Sequence, residues 1–484
     1  MNTALPRWRA FPPLALGAVM ATLDISVVNI ALPTLSRAFG VPLTRIEWVV
    51  LAYVVTLTGL MLVAGRLADR VGRRRLYGAG LIGFAGASAL CGAAPSAAAL
   101  IAARVLQGVG AAMMSANSAP LLVSNFPEAE RGRALGAFGA AIGVGLAIGT
   151  PLGGLVIHHA SWRWLFLVNL PIAALAGLLL VQRVPRDTPA AVASGLRLGP
   201  AALWCGALVS VMLALSRGPE LGFGRADVWA LFPLAAILLA LLARLERDAP
   251  DPLLPPRFIQ GPLGVAVSLT LLSQVLSIAV GFHLPFYLEE VLRFDAGASG
   301  RWLSVMPLAV LLAAPLAGRL SDRLGTRPVA ASGMALTVAG FLALSLLGTT
   351  LRPVPLLGGL ALIGIGQGLF AVPNASALLS LVPPELLGFA SGLQGTMRNL
   401  GLAAGAAGMA ALIASLYAGL TGTRLPAAGS PGMDAAALAR ATRTAFLALA
   451  ALSGLATLIT LRARVHGAGR AVALTPGPAG PGRP

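Results

Sequence analysis

Apolar runs of about 20 residues follow one another along almost the whole chain, each closed by a short stretch of Gly, Pro, Arg or Asp. A helix of that length covers roughly 30 Å, the thickness of a bilayer's hydrocarbon core. The pattern predicts fourteen transmembrane helices. Six fall at roughly 11–35, 46–64, 77–94, 97–119, 135–157 and 163–182, and two at roughly 199–216 and 227–243. Six more fall at roughly 263–288, 299–317, 329–349, 354–380, 388–414 and 442–461. The stretches 183–198 and 244–262 are rich in Pro, Arg and Asp and read as polar connectors. The expected fold class is an all-α polytopic membrane protein. Its blocks are a six-helix bundle over 1–182, a linker with two additional transmembrane helices over 183–262, a second six-helix bundle over 263–462, and a disordered cytoplasmic tail over 463–484.

An even number of crossings puts both termini on one side. With that side taken as the cytoplasm, Arg is about twice as abundant on the cytoplasmic segments as on the opposite ones, as the positive-inside rule requires. Arg66, Arg70, Arg73, Arg74 and Arg75 make the sharpest contribution. The loop at 415–441, with Asp434, then lies outside.

A repeat is visible within the chain. Ala64 to Arg74 returns as Ala317 to Arg327 with eight of eleven positions identical. Pro33 pairs with Pro285, Gln107-Gly108 with Gln367-Gly368, and Pro127-Glu128 with Pro384-Glu385 at nearly the same offset. Two similar half-bundles around a central cavity, with the two extra helices between the copies, is the architecture of a rocking transporter.

Composition narrows the chemistry. Hydrophobic residues make up 57% of the 484 and charged residues 11%, with a mean hydropathy of +0.84, against about 25% charged in soluble domains. The net charge of +18 resides on Arg in short loops between apolar spans, which argues for membrane topology and anionic lipid, and against nucleic acid. All 35 basic residues are Arg. Without Lys there is no P-loop for ATP and no Schiff-base cofactor site, so energy must come from a gradient. Cys91 and Cys205 sit inside apolar spans as small hydrophobes, and no His or Cys cluster could hold a metal. No catalytic residue, cofactor or metal is expected.

Against the repeated scaffold, three mid-span charges stand out because they do not repeat. Asp24 has Leu276 as its counterpart, Arg104 has Gly364, and Arg398 has no charged equivalent near Ile142. A charge at mid-bilayer costs at least about 2.5–3.5 kcal/mol on insertion scales, so function is the default explanation. A single acid with a competing cation is the minimum equipment for exchanging a proton against cargo. Asp24 and Arg104 are expected to face a shared central opening and to carry that exchange. Asn29, Gln107, His283 and Arg398 are candidate cavity residues.

The turn from Gly65 to Arg75 reads as a conformational latch: Gly65 and Gly72 permit the tight backbone, and Asp69 can cap the next helix while pairing with a neighbouring Arg. Gly65, Asp69, Arg70, Gly72 and Arg73 belong to it, with Asp322 in the second copy. In the fifth span, Gly139, Gly143, Gly145, Gly149, Pro151, Gly153 and Gly154 suggest close helix packing with a bend. Packing alone accounts for them as well as a sliding element between the halves does. Glu289 and Glu290 lie near an outer boundary and read as solvated.

These stretches resemble the major facilitator superfamily, specifically its fourteen-helix drug–proton antiporters (the EmrB/QacA-like group). Asp24 to Pro33 is similar to that group's first-helix signature, Gly65 to Arg75 to the superfamily's loop between helices two and three, and Arg104 to Gly110 to the fourth-helix signature. Gly145 to Gly154 resembles the antiporter signature, and Trp162 to Pro171 the group's sixth-helix opening. The resemblance implies the major facilitator fold and alternating access, with hydrophobic or amphipathic small molecules expelled as protons enter. It makes Asp24 and Arg104 the proton-coupling residues and Asp69 with Arg73 the latch of the outward-open state. Gly145, Gly149, Pro151 and Gly153 become an antiport hinge. It also implies a monomer in a bacterial inner membrane, with small-molecule substrate, protons and the bilayer as partners; accessory efflux partners are left open. Two departures matter: Thr150 separates Gly149 from the Pro, and the tenth span holds no carboxylate, which tells against dicationic cargo. An uptake carrier for a metabolite is the alternative, and a channel or membrane-bound enzyme a third, weaker one.

Overall fold

The computed structural model describes residues 7–41, 43–127, 130–185, 197–221, 225–249, 252–255, 261–426 and 432–462. The tail expected to be disordered, most of the connector 183–198 and part of the connector 244–262 lie outside them. Fourteen helices long and apolar enough to cross a membrane run through the described residues, with no strand among them. The first six are α1 (Phe11–Phe39), α2 (Trp48–Val71), α3 (Arg73–Ala93), α4 (Ala97–Ser124), α5 (Arg131–His159) and α6 (Trp164–Arg183). Next come α7 (Leu198–Leu221) and α8 (Ala226–Glu246), then α9 (Pro262–Glu290), α10 (Ala298–Leu324) and α11 (Thr326–Leu344). The last three are α12 (Pro353–Ser380), α13 (Leu387–Thr421) and α14 (Ala435–Arg462). In lipid each backbone N–H and C=O must be satisfied within the segment, which leaves the helix as the form for these apolar runs. Ile82, Leu312 and Val354, at 77%, 71% and 81% exposure, turn outward where lipid replaces water.

Several helices run past their apolar stretches. α13 reaches Thr421 and α14 begins at Ala435, so the loop expected over 415–441 shrinks. The Ala-rich run from Ala435 has high helix propensity, and Asp434 accepts bonds from the Ala436 and Ala437 amides at its start.

Helices α1 to α6 pack chiefly among themselves, as do α9 to α14. The repeat is visible in the backbone: Gly72 and Gly325 occupy equivalent turns with φ of 106° and 87°, a region that favours glycine. Pro33 and Pro285 lie inside the matching helices α1 and α9.

Two main seams join the halves, α2 with α13 and α5 with α10. Both start at the end that carries Asp69 and Asp322, the basic end. Glycines make the approach possible. A Cβ on Gly65 would fall on the Gly388 carbonyl, one on Gly132 would meet the Gly318 carbonyl and the Asp322 carboxylate, and one on Gly136 would meet the Ala314 carbonyl. Gly392 lies against Met61 and Leu62, and Gly143 against Leu311. From Gly132 to Gly143 the α5 seam is roughly 16 Å long at 1.5 Å per residue. Beyond it the helices part: Gly145, Gly149 and Gly153 pack on α1, and on α13 Gly401 and Gly405 pack on α9. The glycine-lined seams between the halves thus lie toward the basic end.

The two additional helices pack on each other, and α7 lies along both α2 and α13, with the Cys205 thiol donating to the Gly59 carbonyl at 3.3 Å. The segment after α8 is fastened to α2. Arg66 Nε donates to the Leu253 carbonyl at 3.2 Å, and its Nη2 donates to the Pro252 carbonyl. The Glu246 carboxylate accepts from the Leu253 and Leu254 amides at 2.7 and 3.2 Å.

Candidate functional site

Asp24 is joined to the cation singled out with it. On α1 it faces α4, where Arg104 Nη1 donates to its Oδ2 at 2.5 Å. Its Oδ1 accepts from Gln107 Nε2 on α4 and Asn169 Nδ2 on α6, both at 2.9 Å. Ser88 on α3 receives bonds from both amides, at 2.9 Å from Gln107 and 3.3 Å from Asn169. Arg104 also donates from Nη1 to Gln107 Oε1 at 2.6 Å and from Nε to the Val49 carbonyl at 2.8 Å. The Tyr53 ring of α2 covers the guanidinium 4.2 Å from its centroid. Four bonds satisfy much of a charge pair that would otherwise be costly in a low-dielectric interior.

The expectation that Asp24 and Arg104 front a shared central opening is not met here. Both are 0% exposed, enclosed by α1, α3, α4 and α6 and covered by Tyr53. The carboxylate is drawn inward because its donors stand on the inner faces of its own half-bundle. Gln107 belongs to this network rather than to a cavity wall, and it too is 0% exposed. The second half has a neutral counterpart: Gln367 Oε1 accepts from Ser273 Oγ at 2.8 Å, close to Leu276, the residue equivalent to Asp24.

Other expected cavity residues separate. Asn29 is exposed on α1. His283 is 4% exposed and hydrogen-bonded to Thr442 of α14 at 2.8 Å, so it lies between α9 and α14 within one half. Arg398 on α13 is partly buried, with no hydrogen bond or ion pair to another described residue. Glu289 is exposed, whereas Glu290, expected to be solvated, is 6% exposed with Arg293 at 3.9 Å. The turn after α9 folds back over it.

The latch geometry differs from expectation in one respect. Asp69 pairs with Arg73 at 2.8 Å but does not cap the helix that follows, whose N-cap Gly72 has no side-chain bond. Its oxygens instead accept from the Gly388 and Phe389 amides, each at 2.9 Å, at the start of α13 in the opposite half. A carboxylate there complements the unsatisfied amides and the positive end of the helix dipole. Arg73 Nη2 also donates to the Pro384 carbonyl, while Arg70 stands in the last turn of α2. The second copy does the same in reverse: Asp322 accepts from the Gly132 and Arg133 amides, each at 2.9 Å, at the start of α5.

The α5 glycines divide between two neighbours: Gly139 and Gly143 lie against α10 of the other half, whereas the face beyond them packs within its own half. Gly145 abuts Val19 and Thr22, Gly149 abuts Leu23 and Ser26, and Gly153 lies on Val27, all on α1 of the same half. Ser26 Oγ donates to the Leu146 carbonyl at 3.2 Å. The helix continues through Pro151. This face therefore presses on the stretch of α1 that carries Asp24.

Sequence reasoning missed the partners Ser88, Asn169 and Tyr53, and the fastening of Arg66 to Leu253. Asn169 lay within a quoted motif, but nothing in one sequence brings it to Asp24.

Comparison with known proteins agrees with this architecture. The profile described as Major Facilitator Superfamily matches residues 14–406 and 269–480. The chain is 32% identical over 405 residues to the riboflavin transporter RibZ of Clostridioides difficile, covering 83% of this chain and 87% of that protein. It is 34% identical over 409 residues to the puromycin resistance protein pur8 of Streptomyces alboniger, covering 83% and 80%. The human organic anion transporter MFSD10 superposes with a TM-score of 0.65 at 19% identity over 94% of this chain and 99% of that one, which speaks to the fold. Repeat, half-bundles and family profile agree: the chain is a transporter of the major facilitator superfamily.

Proposed function

We propose that this protein exports hydrophobic or amphipathic small molecules in exchange for protons, by alternating access. The observation that carries the proposal is Asp24: among the described residues it is the one carboxylate deep within a span, and it is held by a cation and two amides that a proton would compete with. Likeness to a puromycin resistance protein supports export of organic toxins or metabolites.

In this proposal the basic end is cytoplasmic, by the Arg bias, and the structure represents the outward-facing state. Asp69 and Asp322 each clamp a helix start across the interface, and glycine contacts let the seams close. Asp24 is sealed in this state, so the coupling role requires that it reach water in another. Protonation would neutralise the carboxylate, weaken its hold on Arg104 and free α1 to shift against the glycine face of α5. That shift gives the half-bundle two arrangements, which an antiporter needs in order to bind proton and cargo alternately.

A second reading, uptake of a metabolite, is supported by likeness to a riboflavin transporter. One experiment separates the two. A resistance screen in a pump-deficient bacterial host identifies a cargo, and everted vesicles are then given that cargo with an acid interior. Accumulation that collapses on addition of an uncoupler is expected. Accumulation indifferent to the uncoupler, or seen only in right-side-out vesicles, would defeat the export proposal.

A further inference from the structure

Asn169 and Gln107 both offer an amide to Asp24, but they differ in what holds their oxygens. Gln107 is fully committed. Its Nε2 donates to Asp24 and to Ser88, each at 2.9 Å, and its Oε1 accepts from Arg104 at 2.6 Å and from the Cys91 thiol at 3.6 Å. Asn169 is committed only through its nitrogen, which donates to Asp24 Oδ1 at 2.9 Å and to Ser88 Oγ at 3.3 Å. Its Oδ1 is buried and accepts no hydrogen bond from a described residue, in a residue that is 0% exposed. With Asp24 ionised the nitrogen must face the carboxylate, because two acceptor oxygens there would repel. A buried acceptor left unpaired is costly, and this one stands beside the carboxyl that takes up the proton in the proposed function.

Protonation reverses what Asp24 requires. Arg104 stays paired to Oδ2, so a proton from water adds to Oδ1, and the new O–H needs an acceptor. Both lone pairs of Gln107 Oε1 are already taken. An Asn169 amide turned end for end puts its oxygen where its nitrogen now stands, between Asp24 Oδ1 and Ser88. That oxygen has two lone pairs. The Ser88 hydroxyl, which now accepts from both amides, can aim its own hydrogen at the second. The turn exchanges an unpaired oxygen for an unpaired N–H, so it costs about as much as it releases. The backbone beside the site is fixed: Arg163 Nη1 donates to the Gly92 and Ala94 carbonyls at the end of α3, at 2.9 and 3.0 Å, and Gly92 lies against Leu167. The response is left to the side chain.

We propose that Asn169 is a positioning residue with two settings: it donates to the Asp24 carboxylate and, once turned, accepts from the protonated acid, with the Ser88 hydroxyl reversing alongside it. Each protonation state of an enclosed carboxyl is then met by the same side chain. The ionisable groups around Asp24 are Arg104 of α4, Tyr53 of α2 and Cys91 of α3. Helix α5 presents glycine there, and α6 presents Asn169. The inference rests on the reading of Asp24 as the proton site, but it is measured on the amide itself and without a proton gradient.

The test is infrared difference spectroscopy of the full chain in lipid, between high and low pH, with asparagine isotope-labelled at its side-chain carbonyl. The Asn169 band is the one lost in Asn169→Leu. Should that variant not fold, Asn169→Gln, which keeps an amide but not the label, identifies it. On acidification the band is expected to move to lower frequency, as an unpaired carbonyl becomes an acceptor, and Asp24→Asn is expected to abolish the movement. Asn169→Leu leaves the carboxylate its Arg104 and Gln107 donors but takes away the acid's acceptor, so gradient-driven transport should fall about ten-fold or more. An Asn169 band that stays put, a band that still moves in Asp24→Asn, or transport by Asn169→Leu at the wild-type rate would overturn the inference. Uphill transport retained by Asp24→Asn would instead overturn the coupling reading, and the spectra would still report on Asn169.

Discussion

Asp69 and Asp322, equivalent residues of the two repeats, each cross to the opposite half and accept two backbone amides at the start of a helix, α13 and α5 respectively, with all four bonds at 2.9 Å. The contact across the halves is thus one device built twice. Its surroundings are not symmetric: Asp69 also holds Arg73, which reaches Pro384, whereas the residue equivalent to Arg73 is Thr326.

Both carboxylates should therefore matter to gating, and Asp69 more. Hydrogen bonds to a charged acceptor contribute about 1.5–3 kcal/mol each. Asp69→Asn keeps the shape but loses the charge and should shift the gate toward opening by roughly ten-fold or more. Transport should slow with substrate choice unchanged, and Asp322→Asn should do the same more weakly. Labelling of an introduced cysteine at the basic end, together with transport across a cargo panel, checks this; an altered cargo profile with unaltered labelling would count against the latch.

The glycine contacts predict a steric effect distinct from the electrostatic one. At Gly65 a side chain would collide with the Gly388 backbone, which cannot swing aside as a flexible side chain could. Gly65→Val should hold the basic end apart, leaving cargo binding in place and cutting transport about ten-fold or more. Transport at the wild-type rate would show that the seam need not close this tightly.

Arg66 and Arg319 test the role of the two additional helices. They are equivalent in the repeat, yet Arg66 is 4% exposed and bonded to Pro252 and Leu253, while Arg319 is exposed. Arg66 also lies 4.8 Å from the Phe389 ring centre. Arg66→Gln should lower the melting temperature by several degrees, since it leaves buried carbonyls unpaired, and Arg319→Gln should leave it within about one degree. Equal shifts would mean that the contact to the segment after α8 carries no stabilisation.

Much of the architecture was legible in the sequence, because the apolar period and the internal repeat report directly on a lipid solvent. Fourteen helices and two related halves follow from those signals. The pairing of Asp24 with Arg104 could be suspected, since two opposite charges stranded in one half have few other partners. The enclosure of that pair was not legible: it depends on Asn169 and Ser88, ordinary polar residues on helices that a single sequence does not place side by side. The target of Asp69 was hidden for the same reason. A capping carboxylate looks local in sequence, but Gly72 already turns the chain without it, and the free amides lie more than 300 residues away. The α5 glycines were ambiguous because a small-residue face shows that something comes close without showing which helix.

The measurement closest to the centre of the account compares two modes of transport in Asp24→Asn, reconstituted with an identified cargo. Exchange of labelled for unlabelled cargo at equal pH asks only for binding and alternation, whereas uphill movement asks for proton coupling. The account predicts that the variant retains exchange within a few-fold of wild type and loses uphill movement driven by a pH gradient. Gradient-driven accumulation by Asp24→Asn at the wild-type level would contradict it.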